Sequence, residues 1–96
     1  MIRFATRTQE DTDILLNTTL DGGCKLVVHN DEVNTFDWVI KALIEICHHT
    51  PEQAEQCTLI IHFKGKCVVK EGNEEELLPM RRAIVERGIG ATLEYE

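Results

Sequence analysis

The period at which apolar residues recur changes several times along the chain, and each change marks a predicted element. Cys24 to His29 (CKLVVH) is rich in Val and Leu and predicts a first strand. From Phe36 the period lengthens. Phe36, Val39, Ile40, Leu43, Ile46 and Cys47 recur at the three-and-four spacing of one helix face, while Asp37, Lys41 and Glu45 fall opposite. Trp38 lands near the polar side, as a partly exposed ring or a contact with another element. His48 and His49 end this helix, where positive charge suits the C-terminal dipole. Thr50-Pro51-Glu52-Gln53 then opens a second helix, with Thr50 as N-cap, Pro51 at the first helical position and Gln53 completing a capping box. Ala54, Cys57, Thr58 and Ile61 share its apolar face, His62 stands on the edge of that face, and Gly65 is a stop signal.

Lys66 to Lys70 predicts a second strand, ended by Gly72-Asn73. Glu74, Glu75 and Glu76 suit the first turn of a third helix reaching about Arg87 and stopping at Gly88. Pro79 argues for a start later than that acidic run, because proline is tolerated where backbone N–H groups lack intrahelical partners. Thr92 to Tyr95 alternates as a third strand. The order β-α-α-β-α-β describes one small α+β domain over residues 24–96, with three helices on one face of a three-stranded antiparallel sheet. Residues 1–23, polar, Thr-rich and broken by Gly22-Gly23, read as a flexible N-terminal extension.

Composition narrows the function. Ten basic against seventeen acidic residues give a formal charge of −7, which disfavours the phosphate contacts that nucleic-acid binding requires. There is no apolar run approaching the roughly eighteen residues of a membrane span, and no basic start with an apolar centre like a signal peptide, so a cytoplasmic protein is expected. In a reducing compartment Cys24, Cys47, Cys57 and Cys67 read as small buried hydrophobes. Cys47-His48-His49 with Cys57 and His62 raises a metal site, but the spacings match no zinc pattern; neither metal nor cofactor is expected. No Gly-rich phosphate loop, G-x-S-x-G or H-E-x-x-H is present.

The candidate chemistry lies where the first strand ends. In Val28-His29-Asn30-Asp31-Glu32 an apolar run gives way to an Asn-Asp pair on a strand-to-helix loop, a rigid support for outward-facing oxygens. Such a loop suits a ligand that carries hydrogen-bond donors and positive charge. The bland alternative is that Asn30, Asp31 and Asn34 shape a turn and cap the next helix. For His62 the corresponding alternative is a helix-end histidine that only answers the dipole.

Three motifs in register carry a resemblance: Val28-x-Asn30-Asp31-Glu32 after the first strand, the helical stripe from Phe36, and Ile61-His62-Phe63-Lys64-Gly65-Lys66 after the second helix. Together they resemble the ClpS adaptors, which deliver proteins bearing N-terminal degradation signals to AAA+ unfoldases of the Clp protease. The resemblance implies a fold shared with ribosomal-stalk C-terminal domains and a non-enzymatic, monomeric adaptor. It also implies that Asn30, Asp31 and His62 hold a ligand's α-ammonium group, whose three donors need three acceptors. Glu32, Asn34, Phe36, Val39, Thr58, Ile61 and Ile89 would form the pocket for its first side chain, Leu, Phe, Tyr or Trp. Glu75 and Arg81 would contact a ClpA- or ClpC-type unfoldase.

The chain departs from the family pattern in places. Glu32 stands for a second Asp, Asn34-Thr35 for Thr-Pro, Phe36 for the Met that gates β-branched residues, and Met80 for a basic residue. Two competing readings remain at this level. One is a stalk-type interaction domain with no amine pocket. The other is an enzyme using Cys57 or Cys67 as nucleophile with His62 as base, disfavoured because Cys57 lies on an apolar stripe and no third orienting group is evident.

Overall fold

The computed structural model describes residues 23–95, so the predicted extension lies outside the described residues except for Gly23. The elements are β1 (Cys24–His29), α1 (Phe36–Cys47), α2 (Pro51–Lys64), β2 (Lys66–Gly72), α3 (Glu74–Glu86) and β3 (Ala91–Tyr95). The sheet order is β2-β1-β3, and both neighbours run antiparallel to β1. The most apolar strand thus takes the centre, where it has a ladder on each side.

Side-chain alternation assigns the faces. Cys24, Leu26 and Val28 join Val69 of β2, Ala91 of β3 and Val39, Ala42, Leu43, Ala54, Ile61, Leu77 and Ile84 of the three helices in one buried cluster, so the helices cover a single face. Val27 points the other way and is still only 1% exposed. Lys66 pairs with His29 and Glu94 with Lys25, so the Lys66–Glu94 ion pair at 3.5 Å spans β1 at the level of Val27. Aliphatic stems of such a pair can cover an apolar side chain while the charges stay wet. No helix of the described residues is long and apolar enough to cross a membrane.

Three expectations are corrected. α3 begins with the acidic run, at Glu74, and keeps Pro79 in its interior. The Asn73 side chain caps it by accepting from Glu76 N–H at 2.8 Å, and Leu77 and Ile84, both at most 1% exposed, anchor it on either side of the proline. Tertiary packing of that stripe offsets the missing backbone bond. His49 is not a surface residue serving the α1 dipole. His48 takes a left-handed conformation (φ 61°), the chain turns inward, and His49, 5% exposed, hydrogen-bonds Val69 O through Nε2 at 2.7 Å. Lastly, Cys24 and Cys47 are buried as expected, but Cys57 and Cys67 are only half-buried.

Candidate functional site

Two corners of the chain meet beside the end of β1. One is the β1–α1 loop, residues 30–35; the other is the α2–β2 turn at Gly65. Gly65 adopts φ 95°, a left-handed conformation that a residue with a Cβ takes only at a cost, and its N–H closes α2 on Ile61 O at 2.9 Å. Its own carbonyl then accepts from Asn30 N–H at 2.8 Å, while His29 N–H reaches Gly90 O at 2.9 Å. Backbone hydrogen bonds therefore tie the loop to the last turn of α2, which carries His62.

Inside the loop Asp31 is held firmly. Oδ1 accepts from the N–H groups of Val33 and Asn34, each at 2.9 Å, and Oδ2 from Asn34 Nδ2 at 2.7 Å. These bonds, first that from the Asn34 backbone and then that from Val33, hold the Asp31 carboxyl below its ordinary value of 3.8. A carboxylate has about four acceptor positions. With three occupied, Oδ2 keeps one for an outside donor. The bland reading of Asp31 as a turn former is thus true and leaves acceptor capacity over. The cap of α1, however, is none of the residues considered for it: Thr35 Oγ1 accepts from Trp38 N–H at 3.1 Å.

His62 is placed differently. Its ring lies edge-on to Phe36 (centroids 5.5 Å, 72°) and to Phe63 (5.0 Å, 79°). Asn30, Asp31, Glu32, Asn34, Thr35, Phe36, Val39, Thr58, Ile61 and His62 line one cavity of about 260 Å³. That is near the lower end of small-ligand pockets, roughly 300 Å³, and holds one side chain with its flanking atoms rather than a cofactor. Polar groups come from the loop and from His62 and Thr58 of α2, and apolar ones from Phe36 and Val39 of α1 and Ile61 of α2. Thr58 is buried with its hydroxyl bonded to Ala54 O at 2.8 Å, so that polar atom is already satisfied.

Nine of the ten residues expected from the sequence line this cavity. The exception is Ile89, which is 2% exposed, belongs to the buried cluster and is absent from the wall. Thr35 is a lining residue that the reading of the sequence missed; its position just before an amphipathic helix was the available signal. Trp38 proves to be both partly exposed and a contact. Its Nε1 donates to Arg87 O at 3.0 Å, and the Arg87 guanidinium lies over the ring at 5.6 Å while pairing with Glu45 at 2.7 Å.

Elsewhere, Glu75 is exposed in the first turn of α3, whereas Arg81 is half-buried and donates from Nε to Ala91 O at 3.0 Å. The Cys67 thiol is pushed up to about 11, first by burial and then by the adjacent Cys57 sulfur, and that of Cys47 likewise to about 11 by burial. Thiols so protonated at neutral pH are poor nucleophiles. Among the described residues no three His, Cys, Asp or Glu side chains are grouped to hold a metal.

Comparison with known proteins identifies the family. The family model described as ATP-dependent Clp protease adaptor protein ClpS matches residues 21–93. The ATP-dependent Clp protease adapter protein ClpS of Streptomyces coelicolor is 30% identical over 70 residues, covering 73% of this chain and 73% of that one. Its counterpart from Oleidesulfovibrio alaskensis is 37% identical over 60 residues, 60% of this chain and 58% of its own length. Among solved structures, Agrobacterium tumefaciens ClpS2 bound to L-phenylalaninamide superposes with a TM-score of 0.69 at 17% identity, covering 79% of this chain and 99% of that one, a likeness of fold.

Proposed function

Since the chain belongs to the ClpS family of Clp protease adaptors, we propose that it binds the free N-terminus of proteins that begin with a bulky hydrophobic residue and delivers them to a Clp AAA+ unfoldase of the ClpA or ClpC type. The observation that carries this reading is the convergence of Asn30, Asp31 and His62 on one cavity whose remaining wall includes Phe36, Val39 and Ile61. An α-ammonium group has three N–H donors and a positive charge. The Asn30 side-chain oxygen, the open position on Asp31 Oδ2 and a neutral His62 nitrogen supply three acceptors, and the carboxylate balances the charge.

The first side chain enters between α1 and α2, and the amine ties the chain end at the rim. Charge-assisted bonds contribute roughly 1.5–3 kcal/mol each, and burying a Leu or Phe about as much. Set against association costs of several kcal/mol, these terms give roughly micromolar affinity. The ClpS2 structure was obtained with L-phenylalaninamide, a free amine on an aromatic residue, and that ligand chemistry supports the same reading here. In this proposal the protein acts as a cytoplasmic monomer without catalysis, and α3, with exposed Glu75 and nearby Arg81, faces the unfoldase.

The test is a titration of labelled peptides beginning with Leu, Phe, Tyr, Trp or Ile, each with a free and an acetylated N-terminus. Free peptides starting with Leu, Phe, Tyr or Trp are expected to bind at micromolar concentration and acetylated ones not to bind. Equal affinity for both forms sinks the amine site and leaves the stalk-type interaction domain.

A further inference from the structure

The Asn34 side chain bonds both a residue of its own loop and a distant part of the chain. Its Nδ2 donates to Asp31 Oδ2 at 2.7 Å and to Gly88 O at 2.9 Å. Both partners are acceptors, so the orientation of the amide is dictated by the network. A primary amide has two N–H donors, and here each has a partner. Gly88 follows the end of α3, where the last carbonyls have no intrahelical donor. The neighbouring carbonyl of Arg87 accepts from Trp38 Nε1. The loop and the first turn of α1 therefore fasten the turn after α3 at two carbonyls, and one of the two bonds comes from the amide that also grips Asp31.

We infer that Asn34 is a positioning residue for the amine site, orienting the Asp31 carboxylate and fastening the loop that bears it to the turn after α3. Resting on the amine-binding reading of Asp31, this goes further than a role for Asn34 as cavity wall. The mechanism is geometric. Oδ1 is directed by two backbone N–H groups of the loop itself, which leave the carboxylate free to twist; a donor on Oδ2 removes that freedom and determines where the remaining acceptor position points. A Thr at this position would have a single hydroxyl proton and could serve one of these two acceptors at a time. The titratable groups sharing the cavity with Asp31 are Glu32 and His62, while the Arg87 guanidinium near the same turn is paired with Glu45.

The test uses the full chain, with Asn34→Ala as the main variant and Asn34→Thr as a milder one should the first fold poorly. Two measurements are made: NMR titration of the Asp31 carboxyl in the free protein, and the affinity for a Phe-initiated free-amine peptide in Asp31→Ala, Asn34→Ala and the double variant. The expected results are a rise of the Asp31 titration toward the ordinary carboxylate value in N34A, a five- to twentyfold weaker peptide affinity, a smaller loss in N34T, and a double variant within twofold of D31A. A purely structural role would lower the melting temperature and weaken the D31A background as much as the wild type. An unmoved Asp31 titration, or additive losses in the double variant, overturns the role of Asn34. A wild-type chain that ignores free-amine peptides overturns the amine-binding reading itself, whatever the Asp31 titration does.

Discussion

The two corners of the cavity are built by opposite means. The β1–α1 corner is over-determined: Asn30 N–H is bonded to Gly65 O, and Asp31 takes three internal hydrogen bonds. The α2 corner presents His62 on an exposed helix edge with ring contacts to Phe36 and Phe63 on either side. Hydrogen bonds to a carboxylate fix direction; edge-to-face ring contacts fix distance more than angle. The difference teaches that the Asp31 carboxylate is preorganised, whereas the His62 imidazole keeps rotational freedom; in the proposed amine site that freedom lets it present either nitrogen.

The strongest way to break this comparison is at Asp31. Asp31→Ala removes one charge-assisted bond and the balancing charge, so peptide affinity is expected to fall roughly 10- to 150-fold, the equivalent of about 1.5–3 kcal/mol. Fluorescence anisotropy reads it directly, and a loss below threefold would mean that Asp31 only shapes its turn. At the other corner His62→Ala should cost about tenfold, because an adaptable acceptor is partly replaced by water. The same variant sharpens the contrast through pH. Protonating an imidazole removes its acceptor and adds a positive charge beside the ammonium, so wild-type binding should weaken as pH falls from 8 to 5.5. Asp31, held below its usual range, stays ionised throughout that interval. H62A should therefore bind with a flat profile, and a wild-type profile that is itself flat would remove His62 from the site.

Phe36 touches His62 and lines the cavity, so it couples both corners. Phe36→Met replaces a rigid ring by a flexible thioether chain. A several-fold change in the ratio of Phe- to Leu-peptide affinity is expected, with the amine requirement intact; an unchanged ratio would show that Phe36 plays no part in selection. The smallest effect is on stability. Because the folded Asp31 carboxyl lies below its unfolded value, its stabilisation is present above pH ~4 and lost as pH falls through the lowered folded value. Asp31→Asn should accordingly lower the urea midpoint slightly at pH 6, by an amount that shrinks as the pH is lowered. A difference that persisted at the acid end would trace to packing instead.

Much of this could be read from the chain by itself. Apolar period placed five elements close to their bounds and identified α3 apart from its start, while Asn30, Asp31 and His62 were singled out as one site only through the resemblance to ClpS adaptors. These features are local: alternation, helix-face recurrence, caps and glycine stops act over a few residues, so they survive without the fold. Where local signals misled, a long-range contact prevailed. Pro79 is tolerated because Leu77 and Ile84 are buried on either side of it, and His49 turns inward because Val69 O is there to meet it.

The sequence by itself determined which residues could act as acceptors and which could line an apolar hole. Tertiary structure alone decided that the loop and α2 lie within one hydrogen bond of each other, that Asp31 retains one open acceptor position, and that Asn34 reaches 54 residues along the chain to Gly88. Those outcomes depend on the order β2-β1-β3 and on the way α3 ends, and neither is encoded within any short window of residues.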